Sequence, residues 1–253
     1  MYLPWLRNYN FLIFEEIDST NSEAVRLVKS GISGNFVILA SSQTMGRGRR
    51  GKQWCSAAGN LYVSLLLDKN ILIEKQPQLS FVTALAAYET IKYLAKKSKI
   101  ILDIKLKWPN DILINGKKVA GILLESLNFG QKNYLIIGLG INIKASPQNI
   151  DQLTTNLTME GIAEGNLIEL LNIFMHYFEQ YFLDWHHQGF SKFRHNWLKK
   201  AYKLKKQITI DNGRTRVSGI FQDLDFDGSI IVKDNYGLVH NLSAGEVFFD
   251  NNS

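Results

Sequence analysis

Gly46-Arg47-Gly48-Arg49-Arg50-Gly51, continuing into Lys52-Gln53-Trp54, is the stretch on which the fold turns. It spells G-x-G-x-x-G shortly after an apolar run, Phe36 to Ala40, the order expected of a dinucleotide-binding strand and loop. Such a fingerprint must open a helix whose N-terminus meets pyrophosphate. Here the loop leads through Trp54 into Leu61 to Leu67, a second strand-like run, so the dinucleotide-binding reading fails on context. What remains is a basic loop between strands. A solvated loop explains arginine but not glycines interleaved with arginines. Bare backbone lets a ligand approach closely, and guanidinium forks meet carboxylate or phosphate through paired hydrogen bonds.

Upstream, Asp18-Ser19-Thr20-Asn21-Ser22-Glu23 opens a short helix, with Thr20 and Glu23 at capping-box spacing, Ala24, Leu27 and Val28 on one face, and Gly31 as its stop. Downstream, Gln78 to Lys97 predicts a helix with the stripe Ala84, Tyr88, Ile91, Ala95. From Ile100 the period changes to two: Leu102, Ile104 and Leu106 share one face, and Lys107 ends the strand on the other. Asn115-Gly116 signals a type I′ hairpin between Ile112 to Ile114 and Val119 to Leu124, and Tyr134 to Ile143 is a further strand. A long helix over Leu167 to Trp185 would bury Leu167, Leu170, Leu171, Phe174, Phe178, Tyr181 and Trp185. After Lys206 come short strands and turns: Gln207 to Ile210, Thr215 to Phe221, Ser229 to Val232 and Val239 to Phe249. The sequence therefore divides into residues 1–205, α+β or α/β, and a small all-β module, 206–253.

Composition narrows the classes. The 253 residues are 45% hydrophobic and 21% charged, enough for a real core and unlike a disordered, collagenous or disulfide-built chain. Mean hydropathy is -0.10, and no uncharged apolar stretch reaches the ~18 residues of a membrane span, so no membrane partner is expected. Met1 to Glu16 lacks the basic start of a secretory signal, and the single cysteine, Cys55, excludes an internal disulfide; a reducing cytoplasm is the simplest home. Net charge is +6, and removing Arg47, Arg49, Arg50 and Lys52 alone would lower it to +2. The excess is local and asks for a local anion.

Lys107-Trp108-Pro109-Asn110-Asp111 places a cation at a strand end before a Pro-fixed turn carrying an amide and a carboxylate. Beside the arginine loop it suggests a ligand with several negative oxygens, such as a nucleoside triphosphate next to a carboxylate. At ~4 Å and an effective dielectric of ~20 each unit charge is worth about 4 kcal/mol before desolvation. Gly138-Leu139-Gly140-Ile141-Asn142 ends in Ile143 and reads as a tight strand end. Asp223, Asp225, Asp227, Gly228 and Asp234 match a calcium loop, but strand-like flanks favour a hairpin turn. The five histidines form no metal-ligand pattern, so no metal-ligating residues are assigned. Seven cations without an acid between Trp185 and Ile210 read as a solvated helix face, with docking of an acidic partner the sharper alternative.

Ser19-Thr20-Asn21, Gln43 ahead of the arginine loop, Lys107 to Asp111, Gly121-Ile122-Leu123-Leu124-Glu125 and Gly138 to Asn142 together resemble, in order and spacing, the biotin-protein ligases. The resemblance spans essentially the whole chain. It implies an α+β catalytic domain around a mixed sheet, followed by a small SH3-like β-barrel, the latter resting mainly on Ala244-Gly245-Glu246-Val247. It also implies a two-step ligation with ATP and Mg²⁺: biotin is activated as biotinyl-5′-adenylate, then passed to a lysine of the biotin carboxyl carrier protein of acetyl-CoA carboxylase.

By matching positions, Ser19, Thr20, Asn21, Gln43 and the backbone of Gly46, Arg47 and Gly48 would hold biotin. Lys107 and Arg49 would be the catalytic cations at its carboxylate, Lys107 bridging it to the α-phosphate. Arg49, Arg50, Lys52, Trp54, Lys107, Asn110 and Asn142 would meet the nucleotide, Trp54 shielding it from water and Asn142 contacting adenine. Lys52 departs from an arginine common among relatives and loses a bidentate fork. With only 18 residues ahead of Ser19 and no helix pair among them, no sequence-specific DNA binding is expected. Dimerisation through a sheet edge stays open. The rival readings are a lipoate-protein ligase of the same fold, an octanoyltransferase, for which Cys55 lacks a setting, and a non-enzymatic nucleic-acid-binding module motivated by the basic balance.

Overall fold

In the computed structural model, which describes residues 7–69, 71–147, 153–163 and 166–249, seven strands form one mixed sheet. They are β1 (Asn10–Ile17), β2 (Phe36–Gln43), β3 (Leu61–Leu67), β4 (Ile104–Lys107), β5 (Asp111–Ile114), β6 (Lys117–Phe129) and β7 (Lys132–Ile141). Their order is β1-β2-β3-β7-β6-β5-β4; β1 and β2 run parallel and the other neighbours are antiparallel. The helices are α1 (Thr20–Lys29), α2 (Gln78–Lys97), α3 (Leu167–Gln188) and α4 (Ser191–Leu198).

Side chains alternate between the two faces of a strand, so one sheet feeds two cores. Val37 and Leu39 of β2, Val63 and Leu65 of β3, and Ile137 and Leu139 of β7 pack in the large cluster with α2 and α3. Ile38, Leu66 and Ile136 turn the other way, onto Ala24, Leu27 and Val28 of α1. Farther along that second face the apolar rows stop: β3 presents Ser64 after Leu66, and β7 presents Gly138 and Gly140 after Ile136. Replacing bulky side chains by glycine and serine on one half of a sheet face leaves a hollow there, and the functional site occupies it.

The C-terminal strands β8 (Gln207–Asp211), β9 (Arg216–Leu224), β10 (Ile230–Asp234), β11 (Val239–Leu242) and β12 (Glu246–Phe248) form an antiparallel sheet in the order β11-β10-β9-β8-β12. It is not a separate body. Ile208, Phe221, Val232 and Val247 belong to the same core cluster as Phe81 of α2, and Trp108 Nε1 donates to the Gly228 carbonyl at 2.9 Å. The acidic Asp223–Asp234 stretch is the β9–β10 hairpin, with Gly228 at φ 89° and the Asp227 carboxylate accepting from the Ser229 amide at 2.8 Å.

Several boundaries move from their expected places. The α1 cap is Ser19, whose hydroxyl accepts from the Ser22 amide, because the Thr20 hydroxyl donates to Gln43 Oε1 at 3.1 Å. Only Ile104 to Lys107 of the alternating run pairs as β4; upstream, the Asp103 carbonyl accepts from the Asn115 amide and Ile101 is fully exposed. The helix expected to end at Trp185 runs to Gln188 and buries Met175 and Phe182, leaving Leu167 and Tyr181 half-buried. Val239 to Phe249 divides into β11 and β12, since Gly245 breaks it where a Cβ would lie 2.4 Å from Ile210. Strand β1 and helix α4 are additions. Among the seven cations, Arg194 is not simply solvated: it pairs with Asp223 at 2.6 Å and donates to the Leu224 carbonyl. Residues 1–6 of the expected non-signal start and residues 250–253 of the β module lie outside the described residues.

Candidate active site

The hollow is a cavity of about 920 Å³ roofed by the arginine loop and closed at one side by β12. Ser19, Thr20, Asn21, Gln43, Arg47, Gly48, Arg49, Arg50, Lys52, Trp54, Lys107, Asn110 and Asn142 all line it; Gly46 does not. Gly46 lies behind the wall, where a Cβ would come within 2.4 Å of the Trp54 carbonyl. Residues more than a hundred positions apart are thus gathered by strand order.

At one end the surface is polar and neutral. The start of α1 brings Ser19, Thr20 and Asn21, all buried, to the open half of the sheet face. Gln43, at the end of β2, accepts from the Thr20 amide at 2.9 Å and donates to Ser56 Oγ at 2.9 Å, so its side-chain amide has a fixed orientation. Ser64 Oγ lies 2.7 Å from Thr20 Oγ1 and 2.5 Å from Asn21 Oδ1. Donors and acceptors therefore alternate over a short span, which suits a small ring carrying both.

The middle is cationic. The arginine loop folds as a narrow tongue, with Gly48 N donating to the Lys52 carbonyl at 2.7 Å and Trp54 N to the Gly46 carbonyl at 2.9 Å. Its tip holds Arg50 at φ 55° and Gly51 at φ 73°, and Arg49 Nη1 reaches Asn110 Oδ1 at 3.4 Å. Burial holds the Arg49 guanidinium below its ordinary range, with Arg50 adding to the effect. Lys107 is lowered by burial as well, with Asp111 opposing and Lys118 and Lys52 adding like-charge repulsion. Asn110 gives its Nδ2 to the Ile122 carbonyl at 2.6 Å, so its contribution to the cavity is chiefly the oxygen that meets Arg49.

Lys118 is a site residue that the sequence reading missed. Its Nζ lies 2.7 Å from Asp111 Oδ1 and 5.2 Å from the centre of the Trp54 ring, and it is more buried than Arg47 or Lys52. A lysine just inside the start of a strand carries no local signal. The β-bulge between Ile112 and Leu113 helps set the pairing that brings Lys118 beside Asp111.

The far end is a flat aromatic slot. Trp54 lies on the backbones of β6 and β7, where a Cβ on Gly121 or Gly140 would come within 2.9 or 2.7 Å of the indole. Asn142 donates from Nδ2 to the Thr155 carbonyl at 3.1 Å, which leaves its buried Oδ1, like Trp54 Nε1, without a partner among the described residues. Buried polar atoms of this kind call for an explanation, and a ligand with a donor edge supplies one for the oxygen. Beyond it, Phe249 faces the Lys107 ammonium at 5.2 Å and Glu246 accepts from Lys52 at 2.6 and 2.7 Å.

Comparison with known proteins gives the family. The sequence pattern of the Biotin/lipoate A/B protein ligase family matches residues 13–142, which include the polar end, the loop and the slot. The chain belongs to this family. The pattern of the Biotin protein ligase C terminal domain matches residues 206–250. A Biotin--[acetyl-CoA-carboxylase] ligase of Paracoccus denitrificans is 35% identical over 239 residues, covering 92% of this chain and 97% of the relative. The bifunctional ligase/repressor BirA of Bacillus subtilis is 30% identical, over 92% of this chain and 72% of its own length. Among solved structures, the biotin protein ligase of Aquifex aeolicus in complex with biotin and ATP superposes with a TM-score of 0.79 at 28% identity, covering 94% and 97% of the two chains. That of Leishmania major in complex with biotinyl-5-AMP gives 0.65 at 28% identity, covering 93% and 99%. The fold is the α+β mixed-sheet ligase domain with its SH3-like C-terminal sheet. No helix of the described residues is long and apolar enough to cross a membrane.

Proposed function

We propose that the protein is an ATP-dependent biotin-protein ligase, with residues 1–205 as catalytic domain and 206–253 as the C-terminal domain that completes its cavity. The observation that carries this is one continuous hollow joining a neutral hydrogen-bonding pocket, a cationic middle and an aromatic slot. Biotin's ureido ring fits the Thr20–Asn21–Gln43 end and its carboxylate extends to the cations. ATP, entering with Mg²⁺, places adenine in the slot beside Asn142 and its α-phosphate against the same cations.

A carboxylate oxygen attacks the α-phosphorus, the bond to the β-phosphate oxygen breaks, and pyrophosphate leaves. Lys107, Lys118 and Arg49 offset the repulsion between two anions and the charge that spreads over the transition state. The carrier lysine then attacks the acyl carbon as a neutral amine, AMP departs, and an amide forms. Trp54 and the loop keep water from the anhydride until then.

The acceptor is the biotin carboxyl carrier protein of acetyl-CoA carboxylase, in a cytoplasmic setting. Sequence-specific DNA binding is not part of this reading, because the loop charges turn into the cavity and onto the C-terminal sheet; a saturable, salt-resistant shift on promoter DNA would overturn it. The β1 edge of the seven-stranded sheet is where two copies would pair, which sedimentation tests; at the β4 edge Leu106 already exchanges backbone hydrogen bonds with Lys200 and Tyr202. The activity itself is tested by ATP–pyrophosphate exchange with biotin, lipoate or no acid. Biotin-stimulated exchange is expected; exchange with lipoate alone would change the substrate, and none with either acid would reject the ligase.

A further inference from the structure

Glu125 belongs to β6 and stands in register with Ile136 of β7, at the line where the apolar rows of the sheet face end. Its Oε2 accepts from two sources, Asn21 Nδ2 at 2.7 Å and Arg47 Nη2 at 2.7 Å. Asn21 is 4% exposed, and its Oδ1 is held by the Ser64 hydroxyl. A Cβ on Gly138 would lie 2.4 Å from that oxygen, so there is no room for a different packing. The amide therefore has one orientation, oxygen to Ser64 and nitrogen to Glu125. Arg47 comes from the arginine loop. One carboxylate oxygen thus joins the neutral end of the cavity to its roof.

We propose that Glu125 is a positioning residue that orients the Asn21 amide for the head group of the bound acid and latches the loop over it through Arg47. This rests on the ligase reading above. An ion pair with side chains 29% and 42% exposed adds little to stability. A charge-assisted hydrogen bond that orders a recognition group affects binding much more. The effect should appear in substrate handling while the melting temperature stays nearly constant.

The test compares Glu125→Ala, Glu125→Gln, Arg47→Gln and the double variant Glu125→Ala/Arg47→Gln in biotin-dependent exchange, with the rate of adenylate escape followed separately. For Glu125→Ala we expect the KM for biotin and the escape rate each to rise roughly tenfold, the scale of one lost hydrogen bond to a charged group, with the KM for ATP little changed. Glu125→Gln retains an acceptor for Asn21 and should recover biotin KM while escape stays fast. The double variant should release adenylate no faster than the worse single one, since both remove the same latch. Unchanged biotin KM and escape in Glu125→Ala, or additive effects in the double variant, would overturn the proposal. Should Glu125→Ala fail to fold, Arg47→Gln, on the loop surface, decides: normal retention of adenylate sinks the latch. Absence of biotin-dependent exchange in the unaltered protein would instead reject the ligase reading, and this inference with it.

Discussion

Lys107 and Lys118 flank Asp111, and their chemistry differs by surroundings. Lys107 is half-buried and faces Phe249 with its charge disfavoured, whereas Lys118 has a carboxylate at 2.7 Å and an aromatic face beside it. Both Lys118→Ala and Lys107→Ala should slow adenylate formation at least a hundredfold, about the loss of one charge-stabilising donor, with biotin binding largely kept. Isothermal titration alongside exchange kinetics checks this; full turnover in either variant removes that lysine from the mechanism. Arg49→Gly should still make adenylate but leak it, seen as labelling of bystander lysines, and a variant with normal retention and normal rate would contradict the role of the loop. Sequence placed Lys107 in the site because it lies within a distinctive five-residue stretch. It passed over Lys118 and gave Glu125, quoted only within the Gly121–Glu125 stretch, no role of its own; their meaning lies in partners seven positions away for the first and 104 and 78 for the second.

Elements with strong internal periods were legible, and those shaped by neighbours were not. Gln78–Lys97 and Leu61–Leu67 fall where the pattern puts them, since a continuous apolar stripe or run needs no outside information. Asn115 and Gly116 at φ 51° and 77° form the expected turn. The N-cap moved by one residue because Gln43, distant in sequence, takes the Thr20 hydroxyl, and β4 shortened because its upstream part finds no paired strand among the described residues. The glycines of β7 were read as a tight strand end; they are the floor of a slot. Gly140→Ala would place a methyl 2.7 Å from the Trp54 ring, which must then lift. We expect the KM for ATP to rise about tenfold, the scale of one aromatic stacking interaction, with biotin KM unchanged. An unaltered ATP KM would show that the slot has space to spare. In the core, Phe174→Ala should cost about 3–5 kcal/mol in denaturant unfolding through the cavity it leaves; a loss under about 1 kcal/mol would mean that α3 is not fixed to the sheet.

At the scale of the molecule, the change of character near Lys206 was visible in the sequence, but the union of the two parts was not. Trp108 bonds to Gly228, Arg194 to Asp223, and Lys52 to Glu246, three pairings across the boundary that no local pattern signals. The cavity is consequently shared: its roof and cations come from the first part, one wall from β12. Thermal unfolding should bring down both sheets in one coincident transition by far-ultraviolet dichroism and tryptophan fluorescence, and two separated transitions would contradict the continuous core. The proposed chemistry places both half-reactions in this one cavity, with the adenylate retained between them. A single-turnover experiment decides the point: mix the protein with biotin and Mg-ATP, strip free small molecules by rapid gel filtration, count the adenylate that stays bound, then add carrier protein. We predict close to one adenylate per chain, consumed with equal yields of AMP and biotinylated carrier. Adenylate found free in the filtrate, or bound adenylate that the carrier cannot consume, would contradict a shared cavity for the two steps.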